Sequence, residues 1–156
     1  MLEAGDRIPD VTVWLGPGQS VTTYELLEDG PKLLLFYPFD WSSTCTNELE
    51  LVRDRREDFD EAGVQPVGIS RDSPWTHIAW TQVLDLNFGL LSDWNGDAVR
   101  AFGIAHEHRG LKEVAQRSAF LVDTDGVIRQ AWLYDSSQVP DVDVLVEAAR
   151  GLAAAA

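Results

Sequence analysis

Residues 32–37 read KLLLFY, an apolar run closed by Pro38. A run without polar alternation is the pattern of a strand covered on both faces, and such strands belong to sheets with helices packed on either side. Proline brings no N–H to a strand ladder, so the strand is expected to end there. From about Ser43 to Ala62 the residues Leu49, Val52 and Phe59 fall at helical spacing among charges, and Gly63 stops the helix. A buried strand, a tight bend and a polar helix start therefore follow one another within a dozen or so residues.

The rest of the chain continues the alternation. VQPVGIS (64–70) reads as a second core strand, SPWTHIAWTQVL (73–84) as a helix begun by a Ser-Pro pair, GLLS (89–92) as a short strand and GDAVRAFGI (96–104) as a short helix. VTVW (11–14) and VTTYELL (21–27), separated by LGPGQS, suggest an N-terminal hairpin. After a segment expected to be a polar loop, containing HEHR (106–109), SAFLVDTDGVIRQAWL (118–133) is the clearest hairpin, turning at Asp125-Gly126. Residues 141–152 close the chain as a helix, with GLAAAA as its frayed end. The expectation is one α/β domain over residues 1–156, with a central mixed β-sheet flanked by helices. This element order is that of a thioredoxin-like fold.

Charge narrows the partners. The net charge is −14, and Lys32 and Lys112 are the only lysines. Such a surface repels nucleic acid and anionic membranes, so neither is expected as a partner. Many acids with almost no lysine also resemble the composition of proteins from salt-loving archaea, where a short Debye length screens self-repulsion. No apolar run is long enough to span a membrane, and MLEAGDRIPD lacks the features of a signal peptide; a cytoplasmic location is the expectation.

Cys45 is the only cysteine. An internal disulfide, a Cys-x-x-Cys dithiol and a multi-cysteine zinc site are thereby excluded. By default a lone cysteine is a small buried apolar residue. This one falls in the first turn of the predicted helix, where unpaired N–H groups and the positive dipole end favour an anion, so its thiol is expected to be exposed and more acidic than a free one. Ser42, Ser43 and Thr44 can cap the helix.

Pro38, Ser42 and Cys45 spell Pro-x-x-x-Ser-x-x-Cys, which resembles the active-site signature of the peroxiredoxins. LLLFYPFDWSSTC is similar to that family's apolar strand and Tyr-Pro bend, with Asp40 after it. CTNELELVRD is most similar to the one-cysteine branch typified by alkyl hydroperoxide reductase E. GDRIPDVTV, PVGISRDSP, FGLLSDWNGDAVRAFGI and RSAFLVDTDGVIR extend the resemblance over nearly the full length. Ser42 stands where the family more often has threonine, which keeps the hydroxyl.

The resemblance implies a thiol-dependent peroxidase. Cys45 would attack a peroxide oxygen and become a sulfenic acid. Arg117, just before the hairpin, would stabilise thiolate and peroxide, and Glu48 would orient Arg117. Ser42 and the backbone N–H groups of Thr44 and Cys45 would hold the peroxide, and Pro38 would shield the sulfur. It implies no metal, haem or flavin cofactor. Turnover would need an external thiol, small or carried by a thioredoxin or glutaredoxin-like protein, because no second cysteine exists to resolve the sulfenic acid. Trp41, with Trp75 and Trp80, would lie at a homodimer contact, whereas Trp14 and Trp132, on strands, are expected in the core.

Three other readings compete. Oxidation of Cys45 could switch a partner contact in a redox sensor. A Cys-His hydrolase needs a base, and nothing places His77, His106 or His108 beside Cys45; His77 is expected to be a partly buried helix residue. His106-x-His108 could be a metal-ligand pair, a weak signal in a chain with three histidines.

Overall fold

The structure, a computed structural model, describes residues 1–155. Its strands are β1 (Thr12–Gly16), β2 (Gln19–Thr22), β3 (Lys32–Phe36), β4 (Gln65–Ser70), β5 (Gly89–Ser92), β6 (Ala105–His108), β7 (Leu111–Ala115), β8 (Ser118–Val122) and β9 (Ile128–Leu133). The helices are α1 (Ser43–Asp54), α2 (Arg56–Ala62), α3 (Pro74–Leu84), α4 (Asp97–Ala101) and α5 (Val142–Ala155). Seven strands form one sheet in the order β2-β1-β5-β4-β3-β8-β9, and β6 pairs with β7 separately. β5, β4 and β3 run parallel, while β8 pairs antiparallel with β3 and β9 with β8.

The apolar run is β3, near the middle of the sheet and buried throughout. Successive side chains in a strand point to opposite faces, so Leu33, Leu35 and Tyr37 enter one core with Leu49, Val52, Phe59 and Leu145 from the helices. Leu34 and Phe36 enter the other, against Phe102, Phe120 and Ile69. Cys45 belongs to the first of these cores.

Two expectations about local structure are corrected. The helix predicted over 43–62 is broken at Arg55 (φ −106°, ψ 15°), whose N–H bonds Val52 and Arg53 carbonyls. The Arg55 side chain pairs with Asp58 and Asp143, which ties the break to α5. HEHR is not a loop: Ala105–His108 is a strand, with His106 and His108 half-buried and Ala105 and Glu107 exposed in strict alternation. The turn to β7 uses Arg109 and Gly110, both at positive φ (52° and 81°), as a two-residue hairpin turn demands.

Gly68, in the middle of β4, shows how tightly the sheet packs toward the Cys45 face. A Cβ there would stand 2.6 Å from Leu90 Cδ2 and 3.2 Å from Tyr37 Cε1. Gly68→Ala should therefore lower the free energy of unfolding by about 1–3 kcal/mol in urea denaturation, through overpacking. Equal midpoints for variant and parent would show that this face yields more easily than its geometry indicates.

Candidate active site

β3 delivers the chain to the bend at Pro38, and α1 starts six residues after Tyr37 with Ser42 as its N-cap. Ser42 Oγ accepts from the Cys45 N–H at 3.3 Å, and the Ser42 carbonyl accepts from the Thr46 N–H at 2.9 Å and the Thr46 hydroxyl at 2.7 Å. Ser43 and Thr44 come next to the cap, where N–H groups have no partner within the helix.

Arg117 reaches this helix start from far along the chain. The antiparallel register puts Ser118 opposite Phe36, so the residue before β8 lies at the end of β3 where the chain bends. The guanidinium Nη2 is 3.1 Å from Cys45 Sγ and 3.1 Å from the Ser136 carbonyl. Its Nη1 donates to Glu48 Oε2, one turn along α1 from Cys45. Arg117 and Glu48 are both buried, and among the described residues Arg117 Nε and Glu48 Oε1 have no hydrogen-bond partner. Ser42, Cys45, Glu48 and Arg117 are thus joined by contacts, while Pro38 follows the strand end and Thr44 adjoins Cys45 in the first turn of α1.

The thiol itself differs from expectation. Cys45 is fully buried, not exposed. Burial pushes its thiol up, against the lowering exerted first by the Arg117 charge and then by Ser42, the Phe39 N–H and the Arg117 donors. Removing a thiolate from water costs more than these contacts return, so the thiol in this closed arrangement is less acidic than a free one. Phe39, whose N–H bears on the sulfur, is part of its cover. Pro38 and Phe39 form part of the wall of a groove of about 420 Å³ shared with Arg71, Thr76, Trp94 and Leu111. The Phe39 ring stacks on His108 at 5.8 Å, so the β6–β7 hairpin backs this cover.

A second buried cluster adjoins the site, and residue patterns alone did not reveal it. His77 is 3% exposed, not partly buried. Its Nδ1 lies 2.7 Å from Asp40 Oδ2 and its Nε2 3.1 Å from the Leu91 carbonyl, so it faces Asp40 and β5 rather than Cys45. Asp40 Oδ1 accepts from the Tyr37 hydroxyl at 2.7 Å, and the Asp40 N–H donates to Asp72 Oδ2 at 2.9 Å. A histidine on a helix carries no signature of such a partner; the clue was Asp40, three residues after Tyr37 and two before the cap.

The tryptophans divide differently from expectation. Trp41 and Trp75 are exposed, but Trp80 is buried against Tyr37 and cannot form a surface contact. Trp132 packs partly buried on the core, whereas Trp14 is only half-buried, on a groove with Trp75 and Trp94. His106 and His108 stack at 5.6 Å, and among the described residues no three His, Cys, Asp or Glu side chains gather as a metal-ion site.

The model of the AhpC/TSA family matches residues 4–131. The chain belongs to the AhpC/TSA family. It is 31% identical to alkyl hydroperoxide reductase E of Mycobacterium tuberculosis over 156 residues, covering 99% of this chain and all of that protein. A chloroplastic 2-Cys peroxiredoxin of Spinacia oleracea is 32% identical over 106 residues, 64% of this chain and 39% of that longer protein. Among solved structures, peroxidoxin BcpB of M. tuberculosis superposes with a TM-score of 0.86 at 27% identity, over 97% of this chain and 99% of that one. Peroxiredoxin Q of Xanthomonas campestris gives 0.83 at 28%, over the same shares. The AhpC/TSA chain therefore has the thioredoxin-like peroxiredoxin fold expected from its element order.

The Glu48–Arg117 pair makes stability depend on pH in a definite direction. Burial pushes the Glu48 carboxyl up from 4.5 to about 7, with Arg117 pulling it back down. The folded state thus holds this proton more tightly than the unfolded chain, and stability from this group is fully present below pH 4.5 and is lost as pH rises through about 7. Urea unfolding of parent and Glu48→Gln across that range should show the parent losing stability relative to the variant as pH rises. A difference independent of pH would contradict a buried, titrating Glu48.

Proposed function

We propose that this AhpC/TSA family member reduces hydroperoxides at Cys45, with Arg117 as the cation of the reaction, and is recycled by an external thiol. Peroxide reduction by a thiol is the chemistry of the peroxiredoxins to which the chain belongs. The observation that carries the site assignment is the 3.1 Å contact between Arg117 Nη2 and Cys45 Sγ, made across 72 residues of sequence.

The sulfur attacks one peroxide oxygen. An S–O bond forms as the O–O bond breaks, two electrons pass from sulfur to oxygen, and the leaving oxygen takes up the proton that the thiol gave up, departing as water or an alcohol. Charge builds on sulfur before attack and on the leaving oxygen during it, and a buried guanidinium with an unpaired Nε supports both because it cannot lose its proton. Ser42, the Thr44 and Cys45 N–H groups and Glu48 hold the peroxide and Arg117. Because Cys45 N–H is engaged by Ser42 Oγ in the closed arrangement, binding exchanges that contact for one to substrate. The peroxide enters from the groove outside Pro38 and Phe39, by displacement of this short cover. The lone thiol then leaves the sulfenic acid to a second molecule: one external thiol forms a mixed disulfide and releases water, and another restores Cys45. The exposed Trp41 and Trp75 support a homodimer contact beside the cover.

Intact-mass spectrometry after stoichiometric hydrogen peroxide should show the gain of one oxygen in the parent and none in Cys45→Ser. The added oxygen should disappear with a reducing thiol, and peroxide consumption should continue only while that thiol lasts. Oxidation that instead locks a partner complex without turnover would favour a redox sensor.

A further inference from the structure

We infer that the groove outside Pro38 and Phe39 receives the reducing thiol, and that this thiol is a small molecule carrying a carboxylate, drawn in by Arg71, Arg109 and Lys112. The inference rests on the peroxidase reading above and adds to it the chemical class of the reductant.

The bases of the chain are distributed unevenly. Of the twelve lysines and arginines, only Arg7, Arg71, Arg109 and Lys112 have no carboxylate partner among the described residues. Three of these four lie around one groove. Arg71 and Lys112 line it, and Arg109 is in the turn of the β6–β7 hairpin, next to the His108 whose ring stacks on Phe39. Arg71 is fixed in place: its Nε and Nη2 donate to the Trp94 carbonyl at 3.3 and 3.0 Å, and its Nη1 to the Glu113 carbonyl at 2.6 Å. Neutral carbonyls hold the guanidinium without cancelling its charge.

The acids close by are turned to other partners. Asp72 Oδ2 accepts from the Asp40 N–H and the Ser70 hydroxyl, the Glu113 carboxylate pairs with Arg100, and Asp93 accepts from the Ala98 and Val99 N–H groups. The local excess of positive charge is felt at His108, whose ring is pushed down first by burial and then by His106, Arg109 and Arg117.

Charge selects the thiol over the peroxide. The hydroperoxide group is neutral at neutral pH, whereas the species that attacks a sulfenic acid is a thiolate. In that step the thiolate sulfur bonds Cys45 Sγ as the S–O bond breaks, and the leaving hydroxide takes up a proton and departs as water. A second thiolate then attacks the outer sulfur of the mixed disulfide, and Cys45 leaves as a thiolate. The two electrons that reduce Cys45 come from the two thiols, which end as a disulfide. Approach of any anion to a chain of net charge −14 is opposed overall. At about 0.1 M salt the Debye length is ~10 Å, so an anion at the groove feels Arg71, Arg109 and Lys112 more than the acids on distant faces. A carboxylate on the thiol adds to that attraction. The groove, of about 420 Å³, has the size of a small-molecule site, and Phe39, Trp94 and Leu111 offer apolar wall for a short carbon chain.

The test uses peroxide-oxidised protein mixed with thioglycolate, 2-mercaptoethanol or cysteamine, which set a negative, a neutral or a positive group beside the thiol. Loss of the added oxygen from Cys45 is followed by quenched-flow intact mass. Each rate is divided by that of the same thiol with 2-hydroxyethyl disulfide, which removes differences in thiolate fraction and nucleophilicity. At about 0.1 M salt thioglycolate should lead 2-mercaptoethanol by about tenfold, the low end of what a charged cleft adds to an association rate, and cysteamine should trail. In about 1 M KCl, where the Debye length falls to ~3 Å, the three should converge. In Arg109→Gln/Lys112→Gln, changed only at exposed positions, the lead should fall by about half or more. Equal rates for the three thiols in the lower salt overturn the inference. A lead that survives in full in the double variant also overturns it, because its source is then Arg117 and not the groove. A parent that peroxide does not oxidise overturns the peroxidase reading, and the inference with it.

Discussion

A guanidinium buried beside a sulfur sets the terms for the structure around it. Taking a permanent cation out of water costs several kcal/mol unless partners offset the loss. Arg117 finds three: the Glu48 carboxylate, the Ser136 carbonyl and Cys45 Sγ. Two come from the first turns of α1 and one from the segment after β9, so the position of Arg117 requires the β3–β8 register, the start of α1 and that segment to be formed together. A slip of one residue in the antiparallel pairing would turn the side chains beside Arg117 to the other face of the sheet.

The loop between Pro38 and Ser42 lies between two buried charge systems. On one side Arg117 bonds both Cys45 and Glu48, and on the other Asp72 accepts from the Asp40 N–H while His77 bonds the Asp40 carboxyl. Trp41, in the left-handed region at φ 72°, lies within this loop. Burial pushes the thiol up, and in the proposed reaction the same short cover is displaced to admit substrate. The acidity of the thiol is then a property of how far the loop is closed, not of the helix start alone.

The sequence was most informative where one residue type has one structural use. KLLLFY with its proline could hardly be anything but a core strand, and Asp125-Gly126 between alternating runs marked the β8–β9 hairpin. Arg117 was reached only through resemblance to the peroxiredoxins, since no local pattern says that an arginine points inward across a sheet. The sign of the thiol's shift was missed because helix-start electrostatics can be read from order along the chain, whereas desolvation depends on what the fold closes over. The helix broke at Arg55 although its apolar spacing ran straight through, and the Arg55 contact with Asp143 on α5 is one that spacing along the chain does not show. The strand at His106 was obscured by polar composition, although its alternation was present.

The central claim is that the Arg117 charge makes the Cys45 thiolate attainable in a dry site. It is tested most directly by ultraviolet titration of the thiolate in Glu48→Gln and in Glu48→Gln/Arg117→Ala, a comparison that leaves no unpaired carboxylate behind. Because the Arg117 charge lowers the thiol pKa against the effect of burial, its removal should raise that pKa further. An unchanged or lower value in the double variant would contradict it.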